Sequence, residues 1–332
     1  MSLDTAVAAV RLAVRRGLAD LPEESAAPVL VACSGGADSL ALLAATVFEA
    51  RDRPWPVVGV TVDHGLQPGS ADRADAVVGQ MASLGVGETV GVRVTVEAGG
   101  RGPEAAAREA RYSVLEEVAQ RLGSEVVLLG HTLDDQAETV LLGLARGSGG
   151  RSIAGMRAGF DCFRRPLLDV SRAQTEAACT AEGIAWWTDP HNSDPAYTRS
   201  RVRTVVMPVL ERELGPGVAR ALARTATQLQ ADVAELDAQA GAAYARIQHP
   251  DGLPVEALAG LPAAIRLRVL RLAALEAGAI PSDLSHGHLL AVDTLVRDWR
   301  GQHGVDLPGH LRAVRHDGRV AFPRQDPGSG RA

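Results

Sequence analysis

The chain has 332 residues, 46% hydrophobic and 22% charged, proportions of a soluble globular protein long enough for about two domains with buried cores. No uncharged apolar stretch reaches the length of a membrane span, and Met1 to Asp4 lack the basic and apolar regions of a secretion signal, so a cytoplasmic protein without a membrane partner is expected. Cys33, Cys162 and Cys179 form no Cys-x-x-Cys and suggest neither a disulfide framework nor a zinc or iron–sulfur site, while a net charge of −6 argues against a nucleic-acid coat but leaves local basic patches open.

Residues 2–20 read as an amphipathic helix, and Pro22 to Pro28 as a loop. The apolar run from Val29 then breaks into Ser34, Gly35, Gly36, Ala37, Asp38 and Ser39, and resumes with Leu40, Leu43, Ala44 and Val47 at helical spacing. Such a strand, loop and helix suits a phosphate: glycines without Cβ let the backbone approach an anion, and the helix N-terminus adds free N–H groups and a positive dipole. Asp38 beside phosphates is repulsive unless a divalent cation such as Mg²⁺ lies between them. A Walker A loop would need Lys-Ser/Thr after its second glycine, and this chain contains no lysine at all. The Ser-Gly-Gly-x-Asp-Ser pattern instead resembles the PP-loop of the ATP pyrophosphatases, which adenylate a substrate and release pyrophosphate. ATP is the cofactor this implies, with a functionless glycine turn as the alternative.

Val57 to Val62 is a β-branched run suited to a doubly covered parallel sheet, and Asp63, His64, Gly65 and Leu66 end it. His64 is an adenosine contact if this strand neighbours the first, and otherwise a plain loop residue. A helix at 70–84, a strand at 89–96 and a helix from Pro103 follow. Arg108, Arg111 and Tyr112 share one side of that last helix, a pattern common on solvated faces. A strand over 125–130 runs into Gly130, His131, Thr132, Asp134, Asp135 and Glu138. Thr132 and Asp135 look like a capping-box variant. They either do no more than cap, or they converge with Asp38 and His131 at one sheet edge as a nucleotide–metal site.

Gly147 to Gly150 reads as a loop, and Ser171 with Gln174 as a capping box opening a helix to about 182. The segment from Trp186 to Arg203 combines Trp186, Trp187, Arg199, Arg201 and Arg203, either a surface that stacks bases and pairs phosphates or core tryptophans beside a solvated helix. Residues 204–247 are helical, with Gly215-Pro-Gly217 as the boundary. Helices near 261–277 and 285–299 and a hairpin over 311–322 turning at Asp317-Gly318 complete the chain, and His310, Arg312, Arg315, His316 and Arg319 make the hairpin locally basic. The expected fold is α/β: a doubly wound parallel sheet, Rossmann-like, in a catalytic domain over 1–215, then a smaller, mostly helical domain over 216–323 opened by a long connector helix, and a disordered tail over 324–332.

Taken together, Ser34–Ser39, Asp63-His64-Gly-Leu66, Ala107–Tyr112, Gly130–Thr139, Arg146–Gly149, Arg165-Pro-Leu-Leu168 and Trp187-Thr-Asp-Pro resemble the tRNA(Ile)-lysidine synthetases over about residues 29–210. Gln67 stands where that family often has Arg. The resemblance implies ATP-dependent ligation of lysine to C2 of the wobble cytidine of isoleucine tRNA with a CAU anticodon, through an adenylated cytidine. It implies that the Ser34–Ser39 loop holds the phosphates, with Asp63, His64 and Gly130 beside the nucleotide. Asp38 and Asp135 would serve Mg²⁺ or the lysine ammonium, and His131, Arg111 and Arg108 the developing phosphate charge. The rivals are another PP-loop tRNA modifier, such as a thiolase, which typically needs paired cysteines, and a nucleotide- or tRNA-binding protein without catalysis. The second domain is expected to bind tRNA. Oligomeric state is left open, a homodimer included.

Overall fold

The computed structural model describes residues 3–65, 69–94, 103–147, 149–189 and 194–325. Gln67, Ser148 and the segment 190–193, on which sequence readings fell, lie outside those residues. Two compact units make up the chain, Met1–Leu142 with Gly155–Ala226 and Gly143–Ala154 with Thr227–Ala332.

The first unit opens with α1 (Thr5–Gly17), capped by the Asp4 carboxylate on the Ala6 and Val7 N–H groups. There follow β1 (Val29–Ala32), α2 (Ala37–Ala50), β2 (Val57–Asp63), α3 (Ser70–Ser83), β3 (Glu88–Arg93), α4 (Pro103–Leu122), β4 (Val126–Leu129) and α5 (Leu133–Arg146). The short α6 (Gly150–Ile153) belongs to the second unit, and β5 (Gly159–Phe160), β6 (Phe163–Arg164) and α7 (Arg172–Ala181) return to the first. The sheet order is β3-β2-β1-β4-β6-β5, parallel except for β5. The chain winds outward from β1 through β2 to β3, then crosses back to place β4 on the other side of β1. That reversal opens a crevice beyond the carboxyl ends of β1 and β4, where ligands of such sheets bind.

Both faces of the sheet are covered, which is why its central strands are continuous apolar runs. Val29, Val31 and Val57 pack with Val10, Val14, Leu40, Leu43 and Met81 from the helices on one face. Leu30, Val58, Val60 and Val127 pack with Leu115 and Ala119 of α4 on the other.

After α7 come α8 (Thr198–Arg201), a π-helical turn (Val202–Val206) and α9 (Met207–Glu213), without a break. Next is α10 (Val218–Ile247), the long helix expected there. The compact units part inside α10, beyond the Gly215–Gly217 turn at which the sequence reading set the junction.

The second unit continues with β7 (Leu253–Pro254), α11 (Val255–Ala259), α12 (Ala263–Glu276), α13 (His286–Arg297), β8 (Val305–Leu307), β9 (Leu311–His316) and β10 (Arg319–Ala321). The expected hairpin is present, and Asp317 and Gly318 both take positive φ, 47° and 72°, the backbone twist that suits a two-residue hairpin turn. It is the centre of a four-stranded antiparallel sheet, β7-β10-β9-β8. The unit is mostly helical, as expected, with its helices packed on this small sheet and Leu258, Leu270, Leu295, Leu311 and Val320 in its core. Order also runs past the expected start of the tail: Gln325 N–H donates to the His310 carbonyl at 2.7 Å, and residues 326–332 lie outside the described residues.

Candidate active site at the ends of β1 and β4

The loop from Ser34 to Ser39 is held by hydrogen bonds within itself. The Ser39 hydroxyl accepts from Ser34 N–H at 3.1 Å and donates to the Gly36 carbonyl at 2.9 Å, which closes the turn ahead of α2. Gly35 has φ +81°, and a Cβ there would lie 2.6 Å from a Val77 methyl, so both conformation and space require glycine. At Gly130 a Cβ would meet the Asp38 backbone and Ser39 Cα at 3.1 Å, so the end of β4 presses directly on the first turn of α2. Trp187 N–H donates to the Gly35 carbonyl at 3.0 Å, and the Arg73 guanidinium lies 3.3 Å over the Trp187 ring.

Asp38 and Asp135 meet as expected, within a larger charge cluster. Burial pushes the Asp38 carboxyl up to about 6, with Asp135 adding to it, against the hydroxyl of Thr175 and the guanidinium of Arg172. Thr175 donates to Asp38 Oδ1, and Arg172 Nε stands 3.7 Å from Oδ2. Asp135 reaches back from α5 to accept from both the N–H and the hydroxyl of Thr132, at 2.9 and 3.0 Å, so the capping half of its reading is realised. Its other oxygen faces Arg172 and Arg203 at 3.1 Å and Arg199 at 3.4 Å. Burial would raise Asp135, yet Arg172 and Arg199 hold it below the usual carboxylate range. One turn further along α5, the buried Glu138 takes Arg203 at 2.7 Å, Arg199 at 2.9 Å and Arg172 at 3.6 Å.

These pairs correct the reading of the Trp186–Arg203 segment as a phosphate-pairing surface. Arg199 and Arg203 turn inward onto Asp135 and Glu138, and Arg201 donates to the Pro195 and Ala196 carbonyls. Trp186 packs on the core. Glu138, Arg172 and Thr175 were not singled out from sequence. The available signals were the three-residue step from Asp135 to Glu138, which shares a helix face, and the four-residue step from Arg199 to Arg203.

On the other side of the loop, Asp63 receives Gly65 N–H at 2.9 Å and Arg93 at 2.9 Å. Burial raises its pKa, and these partners together with Ser70 outweigh that and lower it. Arg111 Nε donates to His64 Nε2 at 3.3 Å, and burial with Arg111 lowers the His64 pKa. Arg108 and Arg165 both donate to the Tyr112 hydroxyl, at 3.3 and 3.1 Å. Burial, then Arg165, Arg108 and Arg199, push His131 down to about 3 against the pull of Asp135, so its imidazole is neutral near pH 7. Its buried Nδ1 has no hydrogen-bond partner. A cavity of about 670 Å³ joins Ser34, Asp63, His64, Arg108, Arg111, His131 and Asp135. Asp38 and Gly130 stand behind this wall, at the contact between α2 and β4.

Among the described residues no three His, Cys, Asp or Glu side chains form a metal-holding group. The donor set on offer is therefore one or two carboxylates, which fits Mg²⁺, an ion that takes few protein oxygens and completes its shell with phosphates and water. Asp38 fits better, since its one ion-pair partner among the described residues, Arg172, stands 3.7 Å away, whereas Asp135 is faced by three guanidiniums within 3.4 Å.

A Ser-Gly-Gly-Ala-Asp-Ser loop at the switch point of a doubly wound sheet, facing a cleft rich in arginine and carboxylate, defines a PP-loop ATP-binding domain. Residues 11–210 match the PP-loop domain family, and residues 253–321 match the TilS substrate binding domain. The chain is 58% identical over 319 residues to the tRNA(Ile)-lysidine synthase of Salinispora arenicola, covering 95% of each. It is 55% identical over 315 residues to that of Thermobifida fusca, covering 95% and 96%, and 50% identical over 305 residues to that of Mycobacterium bovis, covering 89% and 90%. The chain belongs to the tRNA(Ile)-lysidine synthase family, ligases that share the PP-loop. Among solved structures, the U34-tRNA thiolase NcsA of Methanococcus maripaludis, described with its [4Fe-4S] cluster, shares the fold at a TM-score of 0.57 and 19% identity, over 68% of this chain and 79% of that one.

Proposed function

We propose that this protein uses ATP to join lysine to C2 of the wobble cytidine of isoleucine tRNA bearing a CAU anticodon. The cytidine O2 attacks the α-phosphorus and pyrophosphate leaves. The lysine amine then forms the C2–N bond while the C2–O bond breaks, the oxygen departing with AMP and the amine losing a proton. Family membership supports this reading, and the observation that carries it is the convergence of the Ser34–Ser39 loop, Asp38, His131 and Asp135 at one sheet edge.

In this reading the N–H groups of Gly35, Gly36, Ala37 and Asp38, with the hydroxyls of Ser34 and Ser39, cradle the phosphates. Asp63, His64 and Gly65 border the adenosine, and Gly130 keeps β4 close enough to α2 for both strand ends to line one cleft. Mg²⁺ would be held by Asp38, with Asp135 beside it, and supplies charge neutralisation on the triphosphate. Arg111 and Arg108, which have no carboxylate partner among the described residues, face the negative charge that develops on the phosphates. His131, being neutral, contributes an N–H donor rather than a full charge. Asp135 is better placed to orient Arg172, Arg199 and Arg203 than to bind an ion alone. The lysine ammonium would be attracted to the Asp38–Asp135 side of the cleft.

The second unit, carrying the TilS substrate binding match, would hold the tRNA outside the anticodon loop. A thiolase reading fits less well, because Cys33 and Cys179 are buried and, among the described residues, no cysteine lines the cavity. Incubation with ATP, Mg²⁺, labelled lysine and total tRNA tests the proposal: label should enter one isoleucine tRNA, with one pyrophosphate released per lysine. Pyrophosphate release without lysine in tRNA would overturn it.

A further inference from the structure

The arginines at this sheet edge are of two kinds. Arg172, Arg199 and Arg203 are matched by Asp38, Asp135 and Glu138. Arg108, Arg157 and Arg165 are not: among the described residues none has an ion-pair partner, although Arg165 is 7% exposed. Its guanidinium lies 4.6 Å from the Phe160 ring centroid, donates to the Arg157 carbonyl at 2.7 Å and to the Tyr112 hydroxyl at 3.1 Å, and leaves Nε buried without a partner. Arg108 donates to that same hydroxyl, and the exposed Arg157 lies 5.8 Å from the Phe160 centroid. Three like charges gathered on two aromatic rings, one of them buried, cost free energy that an anion from outside would offset.

Topology places this group next to the chemistry. Arg165 follows β6, which runs parallel to β4, so Arg165 emerges at the same sheet edge as His131. Arg165 N–H donates to the Ala158 carbonyl at 2.7 Å, which holds Arg157 at that edge too. The hairpin tip with Asp161 precedes β6 and lies at the opposite edge. Tyr112 packs edge-on against Phe163 at 5.0 Å and tilted against Phe160 at 5.8 Å, a rigid platform. Guanidiniums flanking an aromatic face are the chemistry of single-stranded RNA binding, in which phosphates pair with arginine and a base stacks on the ring.

We infer that Arg157 and Arg165, set around Tyr112 and Phe160 beside the Arg108 of the ATP cleft, form a station for a backbone phosphate and an adjacent base of the single-stranded RNA loop whose nucleotide enters that cleft. This rests on the tRNA-modifying reading above. The test uses the full chain and a CAU-anticodon transcript, with direct binding measured at several salt concentrations for the wild type, Arg157→Ala and Phe160→Leu. Loss of a stacked base should weaken tRNA binding about tenfold in Phe160→Leu with the salt slope unchanged. Arg157→Ala should weaken it by a similar factor and make the logarithmic salt slope shallower by about 0.7, the single-strand value for one phosphate contact. ATP affinity should stay at the wild-type value in both. Unchanged tRNA affinity, or a parallel fall in ATP affinity, would overturn the station. Lysine incorporation by the wild type is scored alongside: its failure removes the parent reading, whereas incorporation with unaltered binding in Arg157→Ala removes the station alone.

Discussion

Replacing Asp38 with Asn should inactivate the enzyme and, without ligands, make it more stable at neutral pH. Burial lifts this carboxyl from 3.8 to about 6, so the folded protein binds its proton more tightly than the unfolded chain does. The sign follows from linkage. A raised pKa contributes stability that is fully present below about pH 4 and is lost as pH rises through about 6, since above that the fold must hold an ionised Asp38. A shift of about two units at 1.36 kcal/mol each makes the cost about 3 kcal/mol at pH 8. Asn keeps the acceptor for Thr175 and cannot ionise, so Asp38→Asn should exceed the wild type by about 3 kcal/mol at pH 8, about half that at pH 5, and little at pH 4. Urea unfolding of both proteins across that range, without nucleotide or Mg²⁺, measures the gap. A variant no more stable than the wild type at pH 8, or a gap independent of pH, would refute the reasoning.

Glu138 should behave in the opposite way, because it is 1% exposed and closes on Arg199 and Arg203. Glu138→Ala leaves two guanidiniums half-compensated and should cost about 3–5 kcal/mol in urea unfolding; less than about 1 kcal/mol would show that the cluster is dispensable to the fold. His131, pushed down to about 3, should give ring proton shifts that do not titrate between pH 5 and 8 in the free enzyme, and a histidine titrating near 6.5 assigned to it would contradict that. If it donates an N–H to a phosphate, His131→Ala should lower turnover by about a hundredfold, while a near-normal rate would leave it a packing residue.

The central strands and the phosphate loop were legible because each signal was local. Val57 to Val62 is β-branched at every position but Gly59, and the Ser34–Ser39 turn has all its parts within six residues. Asp135 showed half of itself, its capping of Thr132, while the guanidiniums that lower its pKa arrive from Arg172 and Arg199, far along the chain. Ion pairs across such separations leave no periodicity to read, and Arg199 and Arg203 therefore read as outward-facing. The strands β5 and β6 of the first unit and β7 of the second have two residues each, too short for alternation to appear, so none of the three was read from the sequence. Tyr112 read as part of a solvated face because only the fold brings Phe160 and Arg165 against it.

The second unit is assembled from two stretches of chain, Gly143–Ala154 and everything from Thr227 onward. Gly143 presses so closely on the Ser152 carbonyl that a side chain would not fit, and Arg151 pairs with Asp237 of α10 at 2.6 Å. The unit is therefore not a cassette. A chain stopped after α9 would keep the 143–154 excursion while losing the helix that Arg151 grips, and would display an orphaned fragment of a missing neighbour. Swapping this unit between relatives would need two simultaneous exchanges, one inside the PP-loop domain's own sequence. That couples the evolutionary history of the substrate-binding part to the helix that carries Asp135.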